Sequence, residues 1–215
     1  MAYSDFTIPE IKKKFGLSVD EETSLFDDVP EVALPATLDD ALRRYLPLAL
    51  NLNTEKARSE FIIAPLLIEF KLLHHDAISL FSGIEFNVDD TVGLKGRCDY
   101  ILSRNPEQLA LTAPVCVLVE AKSENIIAGI PQCLAEMIAA LRFNRSEGAQ
   151  PFPVYGVVTT GIRWRFLKLD LIKAQVDSRE YTIHAPKKIF GILTDIIFHR
   201  PNDPELKDLP DVSLS

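Results

Sequence analysis

Three side chains of this 215-residue sequence are spaced to do chemistry together: Asp99, Glu120 and Lys122. Glu120 and Lys122 close the run Val115-Cys116-Val117-Leu118-Val119-Glu120-Ala121-Lys122. In a strand, residues two apart project from the same face. The residues before Glu120 are all apolar, which suits a central strand covered on both faces. Such a strand should not end in a carboxylate and an ammonium without partners, because burying either charge alone costs several kcal/mol. Asp99 sits in an alternating run from Lys95 to Ser103, and hairpin-like pairing of the two strands would set it beside Glu120. Two adjacent carboxylates repel unless a divalent cation joins them. Hard oxygen donors with open water positions suit Mg²⁺ or Mn²⁺. The candidate ligands are Asp99, Glu120 and the backbone carbonyl of Ala121. A cation held there would lower the pKa of a bound water and neutralise charge on a phosphate. Lys122 would hold that water or a phosphate oxygen and stabilise charge in the transition state.

The elements that must position these groups can be read from periodicity. Asp39 to Leu50 carries Leu42, Tyr45, Leu46 and Ala49 at helical spacing. Asn53 or Thr54 can cap a second helix reaching about His74, with Pro65 predicting a kink or break inside it. Ser79 to Val88, Lys95 to Ser103 and Pro114 to Lys122 have strand character. A helix is expected from about Ile130 to Phe143. Val154 to Thr159 and Arg163 to Leu169 read as strands joined at the turn signal Thr160-Gly161. Ile172 to Ile183 suggests another strand or hairpin, and Lys187 to His199 a last amphipathic helix. The order α-α-β-β-β-α-β-β-(β)-α implies an α/β fold, a mixed central sheet with helices on both faces. Residues 1–36, with Pro9, Pro30, Pro35 and clustered acids, read as a loosely structured acidic leader holding at most a short helix over Ile8 to Phe15. Residues 37–200 read as the folded domain, and 201–215 as an acidic tail.

With those elements in place, Gly96-Arg97-Cys98-Asp99 followed by Val119-Glu120-Ala121-Lys122 resembles the PD-(D/E)XK nuclease superfamily. The resemblance implies a restriction-endonuclease-like fold and metal-dependent hydrolysis of phosphodiester bonds, with DNA as the expected partner. One large branch of that superfamily adds a glutamate on the helix before the sheet and a glutamine on the helix after the E-x-K strand. Glu60 and Gln132 are the candidates here, and Glu55, five residues from Glu60 and on another side of the helix, is a rival to Glu60. The resemblance therefore implies a catalytic set of Lys122, Glu120, Asp99, Gln132 and Glu60, with Glu60 joining Asp99, Glu120 and Ala121 around the metal. The stretch Val157 to Trp164 resembles the hairpin that follows in nuclease domains of type I restriction enzymes. The likeness spans roughly residues 53–170. It departs from the family name's own pattern at Cys98, which stands where a proline would precede the aspartate.

Composition bounds the alternatives. A hydrophobic share of 47% and a charged share of 25% suit a globular chain. No uninterrupted apolar run approaches the ~18 to 20 residues that span a bilayer. The start shows no basic stretch leading into an apolar one, so no secretory signal is expected and the cytoplasm is the expected location. Cys98, Cys116 and Cys133 form no CxxC pair and read as reduced core thiols. The net charge of −8 argues against nucleic acid, but its distribution matters. Residues 1–40 carry ten acids and three bases, whereas residues 41–200 carry seventeen acids and nineteen bases. A positive strip drawn from Arg97, Lys122, Arg142, Arg145, Arg163 and Arg165 is therefore expected near the site. A homodimer is compatible with this reading. Two rival functions are a catalytically silent nuclease-fold module that binds or scaffolds, and a hydrolase of another phosphate ester. Trp164 and the His74-His75 pair read as a core residue and a helix end.

Overall fold

The apolar run at the middle of the chain becomes the most covered strand, β4 (Val115–Ala121), buried at every residue. The computed structural model describes residues 1–199. β4 lies antiparallel to β3 (Arg97–Ser103) and parallel to β5 (Val154–Thr159). Outward on one side stands β2 (Ser79–Glu85). On the other stand β6 (Arg163–Asp170), β7 (Lys173–Val176) and β1 (Ser18–Asp20). A two-residue β8 (Tyr181–Thr182) also pairs with β6. The result is an eight-stranded mixed open sheet in an α/β fold.

Helices cover both faces. On one face lies α5 (Ile126–Ser146), the crossover from β4 to β5, together with α1 (Ile8–Phe15). On the other lie α2 (Ala36–Leu52), the α3 (Glu55–Arg58) to α4 (Ala64–Leu73) run, and α6 (Pro186–Phe198). Asn125 caps α5 by accepting from the Ala128 amide at 3.3 Å. By length and composition α5 could cross a membrane, but most of it is buried against the sheet, which its apolar surface requires.

Pro65 does not break its helix. The chain runs from α3 through a π-turn over Ser59–Ile63 into α4, with Pro65 in the first turn of α4. Proline removes one backbone donor and its ring crowds the carbonyl four residues back; a widened turn relieves both. Asn53, in the left-handed conformation at φ 51°, ends α2, and Thr54 then caps α3.

The N-terminal segment corrects one expectation. Residues 1–36 are not a loose leader but part of the core. Thr7 and Glu10 form a reciprocal capping box that starts α1. Tyr3, Phe6, Ile11, Phe15 and Leu17 are buried with α5, and Tyr3 donates its hydroxyl to the Phe86 carbonyl. β1 extends the sheet beside β7. Phe26 is fully buried against Phe166, and Lys188 donates to the carbonyls of Phe26, Asp27 and Val29. The prolines and acids that suggested a leader stand mainly on its outer surface, while the apolar residues between them face inward. The acidic tail, 201–215, lies outside the described residues.

Candidate active site

Asp99 and Glu120 meet because of strand register. β3 and β4 pair Tyr100 with Val119, and one further step opposes Asp99 to Glu120. Asp99 Oδ2 accepts the Ala121 amide at 2.8 Å, tying the carboxylate to the end of β4. On its other flank the β2–β3 ladder skips a pair: Ser82 matches Tyr100 and Ile84 matches Cys98. Gly83 stands opposite Asp99 at φ 63°, a conformation that glycine takes without strain.

Glu120 is only 3% exposed. Its Oε1 accepts from Lys122 Nζ at 2.5 Å, so the same-face expectation for these two residues describes the observed geometry. Lys122 Nζ also donates to Gln132 Oε1 at 3.0 Å. The lysine stem crosses α5 at Gly129, where there is no room for a side chain. A Cβ there would lie 2.6 Å from Val158 Cγ1 and 2.9 Å from Lys122 Cγ.

The sequence reading missed Glu136. It lies one helical turn after Gln132, is fully buried, and its Oε1 accepts from Gln132 Nε2 at 3.1 Å. The signal available was its spacing: four residues beyond Gln132, it shares that residue's helix face. Glu120 and Glu136 each leave one buried oxygen, Oε2, without a hydrogen-bond partner. The two carboxyls lie close enough to perturb each other's titration. Burial, and then the charge of Asp99, push Glu120 from its ordinary 4.5 up to about 7, with Lys122 opposing them. Burial first and Glu120 second hold Glu136 well above its ordinary range. Burial works against the charge on Lys122, but Glu120, Asp99 and Glu55 outweigh it and raise its pKa.

Among the described residues Glu60 makes no hydrogen bond or ion pair with this cluster, though its charge reaches Tyr100, next to Asp99. It is half exposed and pairs with Lys56 at 2.9 Å. Glu55, its rival, is the helix carboxylate whose charge acts on Lys122. Five residues of helix separate the two and turn them to different sides. Between them Arg58 is buried, donating to Asn53 Oδ1 at 2.6 Å and to the Ser123 carbonyl just after Lys122.

The expected positive strip is weaker than its residue count. Arg97 pairs with Glu85, Arg142 with Asp89, and Arg163 and Arg165 with Glu180. Arg142 and Arg145 lie at the far end of α5 from the site. Trp164 is fully buried and donates to the Gly161 carbonyl, a core residue. All three cysteines are buried, and burial raises their thiol pKa values, so none is a thiolate nucleophile.

Among the described residues no group of three or more His, Cys, Asp or Glu converges to hold a metal ion. The donor chemistry still fits a hard cation: paired carboxylates, unmatched oxygens on Glu120 and Glu136, and a cation beside them. Such a cluster can bind a divalent ion, place a proton, and oppose negative charge with Lys122. Compared with known proteins, the chain matches no family model, no curated protein and no solved structure.

Proposed function

We propose that this chain is a metal-dependent nuclease with a restriction-endonuclease-like fold of the PD-(D/E)XK type, hydrolysing phosphodiester bonds of DNA. The observation that carries the reading is the buried Glu120 carboxyl paired with half-buried Lys122 at the end of the central strand, with Asp99 held opposite it. A structural ion pair has no need of this burial; replacing such groups with apolar side chains is often stabilising. Asp99, Glu120 and the Ala121 carbonyl would hold Mg²⁺ or Mn²⁺. When bound, the ion supplies an acidified water and charge neutralisation at the phosphate. Lys122 would hold the attacking water or a phosphate oxygen, its ammonium oriented by the bond to Gln132 Oε1. Glu60, or its rival Glu55, would supply the helix carboxylate; the charge of Glu55 bears on Lys122.

The pairing of Arg97, Arg142, Arg163 and Arg165 with carboxylates favours a second reading, a catalytically silent module that binds or scaffolds. One assay separates the two. Linear, circular and single-stranded DNA are incubated with the protein and Mn²⁺, with and without EDTA. Cutting that EDTA abolishes and that Lys122→Ala loses supports the nuclease. Intact DNA in every arm supports the silent module.

A further inference from the structure

Glu136 is a fully buried carboxyl at the site that the proposed chemistry does not use. Among the described residues it has no cationic partner, and its neighbours on α5 are Cys133, Ala135, Met137, Ala139 and Ala140, all buried. A carboxyl in such surroundings weakens the core relative to a leucine of similar volume. Its retention therefore calls for a task that an apolar side chain cannot perform.

The geometry names that task. A glutamine amide has two unlike ends, one that donates and one that accepts. Glu136 Oε1 engages the donating end, Gln132 Nε2, at 3.1 Å. The accepting end, Gln132 Oε1, must then point away from Glu136, and there it receives Lys122 Nζ at 3.0 Å. In the flipped amide an NH₂ group would face the Lys122 ammonium and that contact would be lost, while the carbonyl would face Glu136 Oε1, which donates only when that oxygen itself carries the acid's proton. The chain Glu136–Gln132–Lys122–Glu120 thus has one consistent polarity. The link needs only a lone pair on Glu136 Oε1, which the acid and the carboxylate both offer.

We propose that Glu136 is a positioning residue. It fixes the Gln132 amide so that Oε1 faces Lys122, and so holds the lysine ammonium between Gln132 and Glu120. The consequence for catalysis rests on the nuclease reading; the positioning itself does not.

The test reads the amide directly. In ¹H–¹⁵N spectra of the full chain, the side-chain NH₂ pair of Gln132 is identified by its loss in Gln132→Leu. In the wild type that pair should be resolved from the exposed glutamines and slow to exchange with solvent. In Glu136→Leu it should collapse to the exposed-amide position while backbone signals of the sheet persist. Glu136→Gln keeps an acceptor at the same reach and should preserve it. Glu136→Asp, one methylene short, should lose it; the Gln and Asp variants decide the matter if Glu136→Leu does not fold. An unchanged Gln132 pair in Glu136→Leu or Glu136→Asp would overturn the proposal, as would its collapse in Glu136→Gln. If the chain cuts DNA, losing this link should slow cutting by about tenfold, with Glu136→Gln restoring it. A chain that cuts no DNA defeats the nuclease reading alone, and the amide signals still decide the role of Glu136.

Discussion

Replacing Glu120 with glutamine should make the protein more stable at mildly alkaline pH. In the folded chain Glu120 is 3% exposed, and its pKa stands at about 7 in place of 4.5. The unfolded chain releases this proton near 4.5, whereas the folded chain keeps it until about 7. Between those values the unfolded state binds fewer protons, so stability falls as pH rises, then levels off above 7. The full difference is worth about 3 kcal/mol. Glu120→Gln removes that dependence with a side chain of the same size. It also loses the contact with Lys122, which is 25% exposed and can turn to water. For a chain of this length, a gain of 3 kcal/mol raises the midpoint by roughly 6 to 12 °C. Thermal melts of both proteins from pH 4.5 to 8.5, in EDTA, read the difference. The advantage of the variant should grow from pH 4.5 to 7 and then stay constant. A variant that melts lower than wild type at pH 8, or a difference that ignores pH, would refute the account of Glu120 as a strained, desolvated acid.

Other substitutions probe how the cluster is placed. Gly129→Ala puts a methyl group against Val158 and the Lys122 stem, so it should displace Lys122, abolish activity and cost about 1 to 3 kcal/mol by overpacking; melting curves and the DNA assay check both. Glu60→Ala should leave activity unchanged within twofold, roughly, because it removes only an exposed ion pair, whereas Glu55→Ala should lower it. Deleting residues 1–17 removes buried Tyr3, Phe6, Ile11, Phe15 and Leu17, at about 1.5 to 3 kcal/mol each, and should leave a chain without a cooperative melt.

The parts of the fold that were legible in the sequence are those where one local pattern dominates. The unbroken apolar run before Glu120 identified the central strand, and the two-residue spacing to Lys122 put both charges on one face. Asp99 followed from pairing neighbouring strands. Glu136 was illegible for the opposite reason. A glutamate on a helix usually faces water, and its spacing from Gln132 gives a shared face without showing that the face packs on the sheet. The π-turn at Ser59–Ile63 has no sequence signature beyond Pro65. The N-terminal segment was misread because prolines and acids dominate its composition. Its burial depends on contacts with α5, β7 and α6 that lie far along the chain.

The central claim, that Asp99 and Glu120 hold a divalent cation while Lys122 acts on the substrate, is tested most directly by calorimetric titration of Mn²⁺. Wild type should bind the ion. Asp99→Ala should lose binding, because an oxygen donor is gone. Lys122→Ala should bind as wild type does or more tightly, because an ammonium offers no lone pair and repels the ion. Wild type giving no binding heat, or Asp99→Ala binding as tightly as wild type, would contradict the account.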